Sequence, residues 1–382
     1  MEVVTPIKEA SDAIREAGGG IFNLCFQCDL CTVSCPWNTV RTFLPHKVIR
    51  EAQFGLVDLE DEGCWLCTTC NMCVSRCPRG VSPIDIMVAL RRILVEEGRI
   101  PITLRDALEA VFTQGNPWGR ARSKRSEWAA GLGIRDVTQG DKADMLLFVG
   151  CAPSYDPRVQ EVSKALVKIF SKAGICIGIL GNEETCCGNE VRRMGEQGLF
   201  EMLVEDNLKV FHKYGISQIV TISPHCYNVL KNEYQDSKIE VKHYTQYIAE
   251  LVDTGKLAFS NKLEKVVTYH DPCYLGRHNG VYDEPRRILK SIPGVELVEM
   301  HDHRENSLCC GGGGGRMWIE TKKEERFSDL RINQALEVEA KVLVTACPFC
   351  TLNFEDSLLT MDKGDELEIK DISEIVYEVI EE

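Results

Sequence analysis

Over the last two thirds of the chain, short apolar runs alternate with longer segments of helical texture. Met145 to Val149, Ile175 to Leu180 and Ile219 to Ile222 form one set; Val266 to Tyr269, Val295 to Val298 and Val342 to Val344 form another. Apolar runs this short, separated by amphipathic stretches, predict strands buried on both faces and joined by helices, which is the pattern of a parallel, doubly wound sheet. The first hundred residues read differently. Pro45 to Leu56 has the pattern of a short helix, and Ser82-Pro83-Ile84-Asp85 opens another, with serine as N-cap, proline in the first turn and an acid at the third position. Ile86, Leu90, Ile93 and Leu94 carry that second helix to Gly98. At the other end of the chain, Ile372, Ile375, Val376, Val379 and Ile380 share one face of a helix over Asp371 to Glu382, with acids opposite. That stripe reads as a core-packing helix, with a partner-binding helix as the alternative.

The apolar sets mark an internal repeat, and the cysteines make it explicit. Cys151, Cys186-Cys187-Gly188 and Cys226 recur as Cys273, Cys309-Cys310-Gly311 and Cys350, at offsets of 122, 123 and 124 residues. A repeat of that length is one domain present twice. Each cysteine group falls just past an apolar run, at the carboxyl edge where open α/β sheets bind ligands.

Composition narrows the class of protein. The chain has 382 residues, enough for two or three domains with cores of their own, and a net charge of −14, which argues against a nucleic-acid partner. It holds 19 cysteines, yet Met1 to Ala10 lacks the basic start and apolar stretch of a secretion signal. The thiols therefore read as ligands in a reducing, cytoplasmic setting. No apolar run is long enough to span a bilayer, so membrane association is expected only through a partner. The basic exception is Arg99 to Arg135, with Arg99, Arg105, Arg120, Arg122, Lys124, Arg125 and Arg135 among interspersed glycines. It reads as a linker or docking arm, or as a solvated charged loop.

Cys25-x2-Cys28-x2-Cys31-x3-Cys35-Pro36 recurs as Cys67-x2-Cys70-x2-Cys73-x3-Cys77-Pro78. This is the spacing of two cubane [4Fe-4S] clusters, each drawing three thiolates from one run and the fourth from the other. Cys25, Cys28, Cys31 and Cys77 are then the ligands of one cluster, and Cys67, Cys70, Cys73 and Cys35 those of the second. A zinc site built of Cys-x2-Cys pairs has no use for the third cysteine or for the Cys-Pro ending. Cys64 fits no ligand slot and reads as a small buried hydrophobe.

The second repeat offers five thiolates, Cys273, Cys309, Cys310, Cys347 and Cys350, where a cubane needs four. An adjacent pair strains to reach two corners of one small cube, so the doublet points to an unusual cluster. Gly311 to Gly315 behind it permit close backbone approach and N–H donors to sulfur. A phosphate loop would need the Gly-x4-Gly-Lys-Ser/Thr pattern, and Arg316 follows instead. In the first repeat Ser223 stands where Cys347 stands in the second, leaving Cys151, Cys186, Cys187 and Cys226. Three readings stay open there: a cubane on four thiolates, a ligand from Ser223 or His225, or a structural pseudo-site.

This tandem motif behind a two-cluster region resembles the iron-sulfur proteins related to the D subunit of heterodisulfide reductase. The resemblance rests further on His270-Asp271-Pro272-Cys273-Tyr274-Leu275-Gly276-Arg277 and on Cys309-Cys310 with the glycines, Arg316 and Met317 that follow. It implies an α+β multidomain protein with a helical, ferredoxin-like domain over residues 1–97 and a basic linker over 98–142. Two Rossmann-like α/β Cys-Cys-Gly (CCG) domains over 143–262 and 263–382 complete it. It also implies a non-cubane [4Fe-4S] cluster on Cys273, Cys309, Cys310, Cys347 and Cys350, at which the family splits a disulfide. Other members serve flavoprotein dehydrogenases or membrane complexes, so the expected partners are a flavoprotein or a membrane cytochrome or quinone-linked subunit. The function expected is that of an anaerobic iron-sulfur oxidoreductase subunit relaying electrons to the C-terminal cluster, with catalytic disulfide reduction as the alternative. Reducing a disulfide consumes two protons. His270 and His278 are the candidate donors, or else structural hydrogen-bond partners of sulfur; His301 and His303 lie further off, and Arg277 is a candidate anion holder.

Overall fold

The computed structural model describes residues 5–59, 62–235 and 238–380. Two compact units make up the chain. One comprises Met1–Asp106, Glu190–Gly198 and Gly311–Phe327, and the other Ala107–Asn189, Leu199–Cys310 and Ser328–Glu382. The two short segments of the first unit are the stretches of chain that follow the two cysteine doublets.

The first unit is helical. The helix Pro45–Phe54 ends on Gly55, whose left-handed backbone (φ 66°) brings it against the carbonyl of Ile7, where a side chain would collide. The helix Pro83–Glu96 begins as the sequence suggests, with the Ser82 hydroxyl accepting from the Asp85 amide. Ile84, Ile86, Met87, Leu90 and Leu94 of that helix are buried, each worth about 1.5–3 kcal/mol over an exposed side chain.

In the second unit the strands are β1 (Arg135–Asp136), β2 (Met145–Phe148), β3 (Ile177–Ile179), β4 (Gln218–Thr221), β5 (Glu240–His243), β6 (Lys265–Tyr269), β7 (Val295–Val298), β8 (Val342–Thr345) and β9 (Glu368–Asp371). They form two sheets, β1-β3-β2-β4-β5 and β7-β6-β8-β9, and every pairing is parallel. Leaving β1 aside, the order is the same in both. The central strands β2 and β8 are buried at all four residues, as strands covered on both faces must be. The edge strands β5 and β9 are largely polar and carry no apolar run, so hydrophobic pattern alone passes over them.

The two repeats pack reciprocally. The helix Pro157–Lys172 of the first lies on the C-terminal helix Ile372–Ile380 of the second, and Tyr244–Asp253 of the first lies on Asp283–Ser291 of the second. Arg158 ties the first contact to Glu355 and Glu374. The apolar stripe Ile372, Ile375, Val376, Val379 and Ile380 is buried, so this helix packs the core; Glu381 and Glu382 lie outside the described residues. Residues 98–142 carry the helix Ile102–Gln114, and Arg125 among them is buried against Glu184. No described helix is long and apolar enough to cross a membrane.

Candidate metal centres

In the first unit, two loops of the same shape carry Cys25, Cys28 and Cys31 and Cys67, Cys70 and Cys73. Gln27 (φ 63°) and Asp29 (φ 67°) match Thr69 (φ 52°) and Asn71 (φ 66°) in the left-handed region, two and four places after the first cysteine. A β-branched residue such as Thr69 holds that conformation only where its surroundings impose it. Each loop then enters a one-turn helix, Leu30–Val33 or Met72–Ser75. Cys35 lines one pocket together with Cys67, Cys70 and Cys73, walled by Pro36, Trp37, Phe43 and Met87. Burial pushes the Cys73 thiol well up, and Cys67, Cys70 and Cys35 beside it add to the effect. Burial likewise lifts Cys31 to about 11, with Cys25 adding to it. Gln27 Nε2 donates to Cys25 Sγ at 3.3 Å, and the Val81 amide donates to Cys77 Sγ at 3.3 Å. Four soft thiols around one apolar-walled space suit a four-iron cluster, and loading it releases their protons.

Arg91 is a functional candidate that the sequence reading passed over. It is fully buried in the helix Pro83–Glu96, and its guanidinium donates to the carbonyls of Cys64 (3.0 and 2.7 Å), Cys67 (2.7 Å), Arg193 (2.7 Å) and Gly314 (3.0 Å). It thus pins the second cysteine loop to the segments that follow both doublets. Gly314 (φ 65°) lies so close to the Cys67 carbonyl that a Cβ would sit 2.5 Å from it, which accounts for one of the five glycines. Glu190 closes the same knot by accepting from the Gly315 amide at 2.7 Å. The only hint in the sequence is a charge inside an otherwise apolar helical face. Cys64 is buried, and its carbonyl rather than its thiol anchors Arg91.

In the second unit every cysteine group lies past the carboxyl end of a strand. Cys151 opens a short helix after β2, Cys186 and Cys187 follow β3, and Cys226 sits in the first turn of the helix Pro224–Asn232 after β4. These four are buried and linked in series: Cys151 to Cys186, Cys186 to Cys187, Cys187 to Cys226. The contact with Cys186 and burial hold the Cys151 thiol well above its usual range. Arg125 Nη2 lies 3.6 Å from Cys151 Sγ, and the same guanidinium pairs with Glu184 at 2.8 Å. Glu184 in turn accepts from the amides of Val149 and Gly150, fixing the turn that delivers Cys151. Ser223 accepts from the His225 amide and so caps its helix. Cys176 stands apart, half-buried at the amino end of β3 with its sulfur 3.6 Å from the Lys142 carbonyl.

In the second repeat Cys273 follows β6, Cys309 and Cys310 follow β7, and Cys347 and Cys350 follow β8; all five are buried. Cys350 and Cys310 are 3.3 Å apart, sulfur to sulfur, and Cys347 hydrogen-bonds with Cys350. Burial alone would raise the Cys347 thiol, but hydrogen bonds from Cys350 and His225 outweigh it and bring it below the ordinary thiol range. His225 belongs to the first repeat. Its ring stacks on Tyr274 (4.1 Å between centroids) and packs at 4.8 Å on Phe349, while Asn189 Nδ2 lies 3.1 Å from its Nδ1. Cys310, Cys347 and Cys350 thus meet as soft, buried donors of the kind iron-sulfur chemistry uses.

Burial, with Arg331 and Arg277 nearby, keeps His270 well below its usual range and so neutral. Its Nδ1 accepts from Arg331 Nε at 3.1 Å, which places the proton on Nε2. His278 is half-buried and stacks on the other face of Tyr274 at 4.2 Å. Arg277 donates to the Ser307 carbonyl at 2.6 Å. His301 is exposed beside Asp302, and the His303 ring meets the Met300 carbonyl at 2.9 Å.

Residues 145–231 and 267–355 each match the cysteine-rich domain family, and residues 21–81 match the 4Fe-4S dicluster domain family. Among curated proteins, the chain is 40% identical over 332 residues to the probable iron-sulfur-binding oxidoreductase FadF of Bacillus subtilis. It is 38% identical over 335 residues to the EtfAB:quinone oxidoreductase of Syntrophomonas wolfei. Both alignments cover 84% of this chain and 47% of the relative, so the chain spans about half the length of these relatives. It is 33% identical over 323 residues to the D subunit of the dihydromethanophenazine:CoB--CoM heterodisulfide reductase of Methanosarcina barkeri, covering 82% of this chain and 77% of that protein. With a dicluster region, two cysteine-rich repeats and that coverage, the chain belongs to the family of iron-sulfur oxidoreductases that includes the D subunit of heterodisulfide reductase.

Proposed function

We propose that this oxidoreductase acts as the electron-relay subunit of a larger redox complex, taking electrons from a flavoprotein and passing them toward a quinone-linked acceptor. Two cubane [4Fe-4S] clusters on the N-terminal cysteines and a non-cubane [4Fe-4S] cluster on Cys273, Cys309, Cys310, Cys347 and Cys350 would supply one-electron chemistry when bound. The observation that carries the relay reading is the 38% identity, over 84% of the chain, to a protein named for electron transfer between EtfAB and quinone. The cysteine placement supports it. Cys35, Cys67, Cys70 and Cys73 share one apolar-walled cavity, while Cys310, Cys347 and Cys350 gather at the edge of the second sheet.

The chain's own residues do three things in this reading. The apolar walls around Cys35 and Cys73 exclude water, which favours a low-charge cluster environment. Arg91 and Glu190 hold the loops in place. His270, kept neutral with its Nδ1 accepting from Arg331, is not a store of protons.

Catalytic disulfide reduction is the second reading, favoured by the match to the D subunit of heterodisulfide reductase and by the five-cysteine set. Anaerobic purification of the native complex separates the two. Reduction of the chain by a co-purifying flavoprotein, with no thiol-disulfide turnover, is the expected result. Disulfide turnover that persists without any flavoprotein and is lost in Cys310→Ala would overturn the relay reading in favour of the second.

A further inference from the structure

We propose that the first repeat holds an iron-sulfur centre of its own on Cys151, Cys186, Cys187 and Cys226, and that Arg125 is its positioning residue, donating a hydrogen bond to the sulfur of Cys151. The role of Arg125 rests on the four-thiolate reading of this repeat and goes beyond the relay function.

Three of the sulfurs are each placed by a contact of their own. Arg125 Nη2 lies 3.6 Å from Cys151 Sγ, and the Gly188 amide donates to Cys186 Sγ at 3.4 Å. A Cβ on Gly150 (φ 80°) would sit 3.2 Å from Cys226 Sγ, so glycine lets the turn before Cys151 close on that sulfur. Cys187 completes the buried set, its carbonyl accepting from the Tyr234 hydroxyl at 3.0 Å.

A guanidinium carries donors and no acceptor, so the sulfur of Cys151 accepts, which suits a thiolate or a metal-bound sulfur better than a thiol. That sulfur also lies 3.9 Å from the Gly115 carbonyl, a contact that only a thiol proton can bridge and that loading gives up. Arg125 has little freedom to turn away. Its Nε and Nη2 donate to Glu184 Oε1 at 3.2 and 2.8 Å, Nη1 donates to the Gly115 carbonyl at 3.4 Å, and Nη2 lies 3.5 Å from the Thr185 carbonyl. Its flat face covers the Tyr155 ring at 5.7 Å. The Gly115 carbonyl accepts from the Cys186 amide as well, at 2.9 Å. The stretch that reads as a linker or docking arm therefore walls the first-repeat thiols.

The second repeat is built otherwise. Residues 238–262, which precede it, contain no arginine, and its buried Arg286 turns to Asp271, Glu299 and the Tyr282 carbonyl. A positive donor at a thiolate stabilises the more negative, reduced cluster, so it raises the reduction potential.

The test is an EPR-monitored redox titration of the anaerobically loaded full chain, following the signal that Cys187→Ala removes. Arg125→Met should shift the reduced-to-oxidised ratio of that signal about tenfold toward oxidised at fixed potential, which is about 59 mV for a one-electron couple. Arg125→Met combined with Glu184→Gln leaves the net charge unchanged and should shift it about threefold in the same direction, because the donor to sulfur is gone. Glu184→Gln alone frees the guanidinium from its carboxylate and should shift the ratio toward reduced. The same sign in both single variants, or an unshifted ratio in a loaded Arg125→Met protein, overturns the role of Arg125. If Arg125→Met does not load, an unshifted ratio in the double variant does so, and loss of the signal from both makes the pair a folding element and overturns it as well. A Cys187→Ala protein that keeps all the iron and every iron-sulfur signal of wild type would instead overturn the four-thiolate reading beneath it.

Discussion

The two cysteine-rich repeats share a sheet order and the position of their cysteine groups, and they diverge at the residue that opens the helix after their third shared strand. In the first, Ser223 uses its hydroxyl to cap the helix Pro224–Asn232. In the second, Cys347 opens Pro348–Thr360 with no side-chain cap, so its sulfur is available to Cys350 and His225. One atom, oxygen or sulfur, separates a helix cap from a thiol at the same position. The pair shows how one fold present twice can differ at a single position: the second copy carries five cysteines at this edge, and the first carries four with a helix cap in place of the fifth.

The sharpest way to break this comparison is to remove thiols from each side. Cys310→Ala and Cys347→Ala should each abolish electron transfer beyond the N-terminal clusters while the spectra of those clusters stay intact. Cys187→Ala should reduce turnover far less. Full loss with Cys187→Ala and retained activity with Cys310→Ala, both measured anaerobically, would reverse the roles of the repeats.

Metal content sharpens it next. Iron analysis should give about 12 iron per chain if only the second repeat is loaded, and about 16 if both are. Cys73→Ala should remove about four of these without changing the second-repeat signal. Stoichiometric zinc without iron-sulfur absorbance would contradict the assignment of both units.

An ion pair is also buried near the first cysteine of each repeat, at different places. Arg125 and Glu184 are 2% and 3% exposed beside Cys151, and Arg286 and Asp271 are 3% and 2% exposed two residues from Cys273. Glu184→Ala leaves the Arg125 charge buried without that partner and should cost about 3–5 kcal/mol in denaturant unfolding, and Asp271→Ala should cost less, because Arg286 keeps Glu299 at 2.7 Å. Glu184→Ala should also loosen Cys151, because Glu184 holds the amides of Val149 and Gly150. Equal protection of residues 149–151 from hydrogen exchange in that variant would count against this role.

The smallest effect is a difference in pH response at the last strand of each repeat. His243 ends β5 and accepts from the Thr245 amide; Asp371 ends β9 and accepts from the Ser373 amide. Burial holds His243 down at about 3, below its unfolded 6.5, so its contribution to stability is full above 6.5 and fades as pH falls. Burial holds Asp371 up at about 7, above its unfolded 3.8, so its contribution is full below 3.8 and fades as pH rises through 7. Between pH 5 and 6.5 the two slopes oppose, each at most about 1.4 kcal/mol per pH unit. Urea midpoints should therefore rise with pH more steeply in Asp371→Asn than in His243→Asn, where His270, likewise held neutral by burial, still opposes Asp371. The same slope in both variants would remove the distinction.

Much of this protein is legible in its sequence because the features concerned are local. The spacing of Cys25 to Cys35 and Cys67 to Cys77, the Ser82 cap, the apolar runs of β2 and β8 and the stripe on Ile372–Ile380 each depend on residues a few places apart, where backbone geometry sets the period. The polar edge strands β5 and β9 leave no such trace, since an edge needs hydrogen bonds and little burial. Long-range contacts leave none either. That Arg91 reaches carbonyls up to 223 residues away, and that His225 packs on Tyr274 and Phe349 of the other repeat, follows from how the chain is packed, not from any pattern along it. Periodicity determines which face of an element is buried, but the identity of the buried neighbour is decided only when the sheets and loops have closed around it.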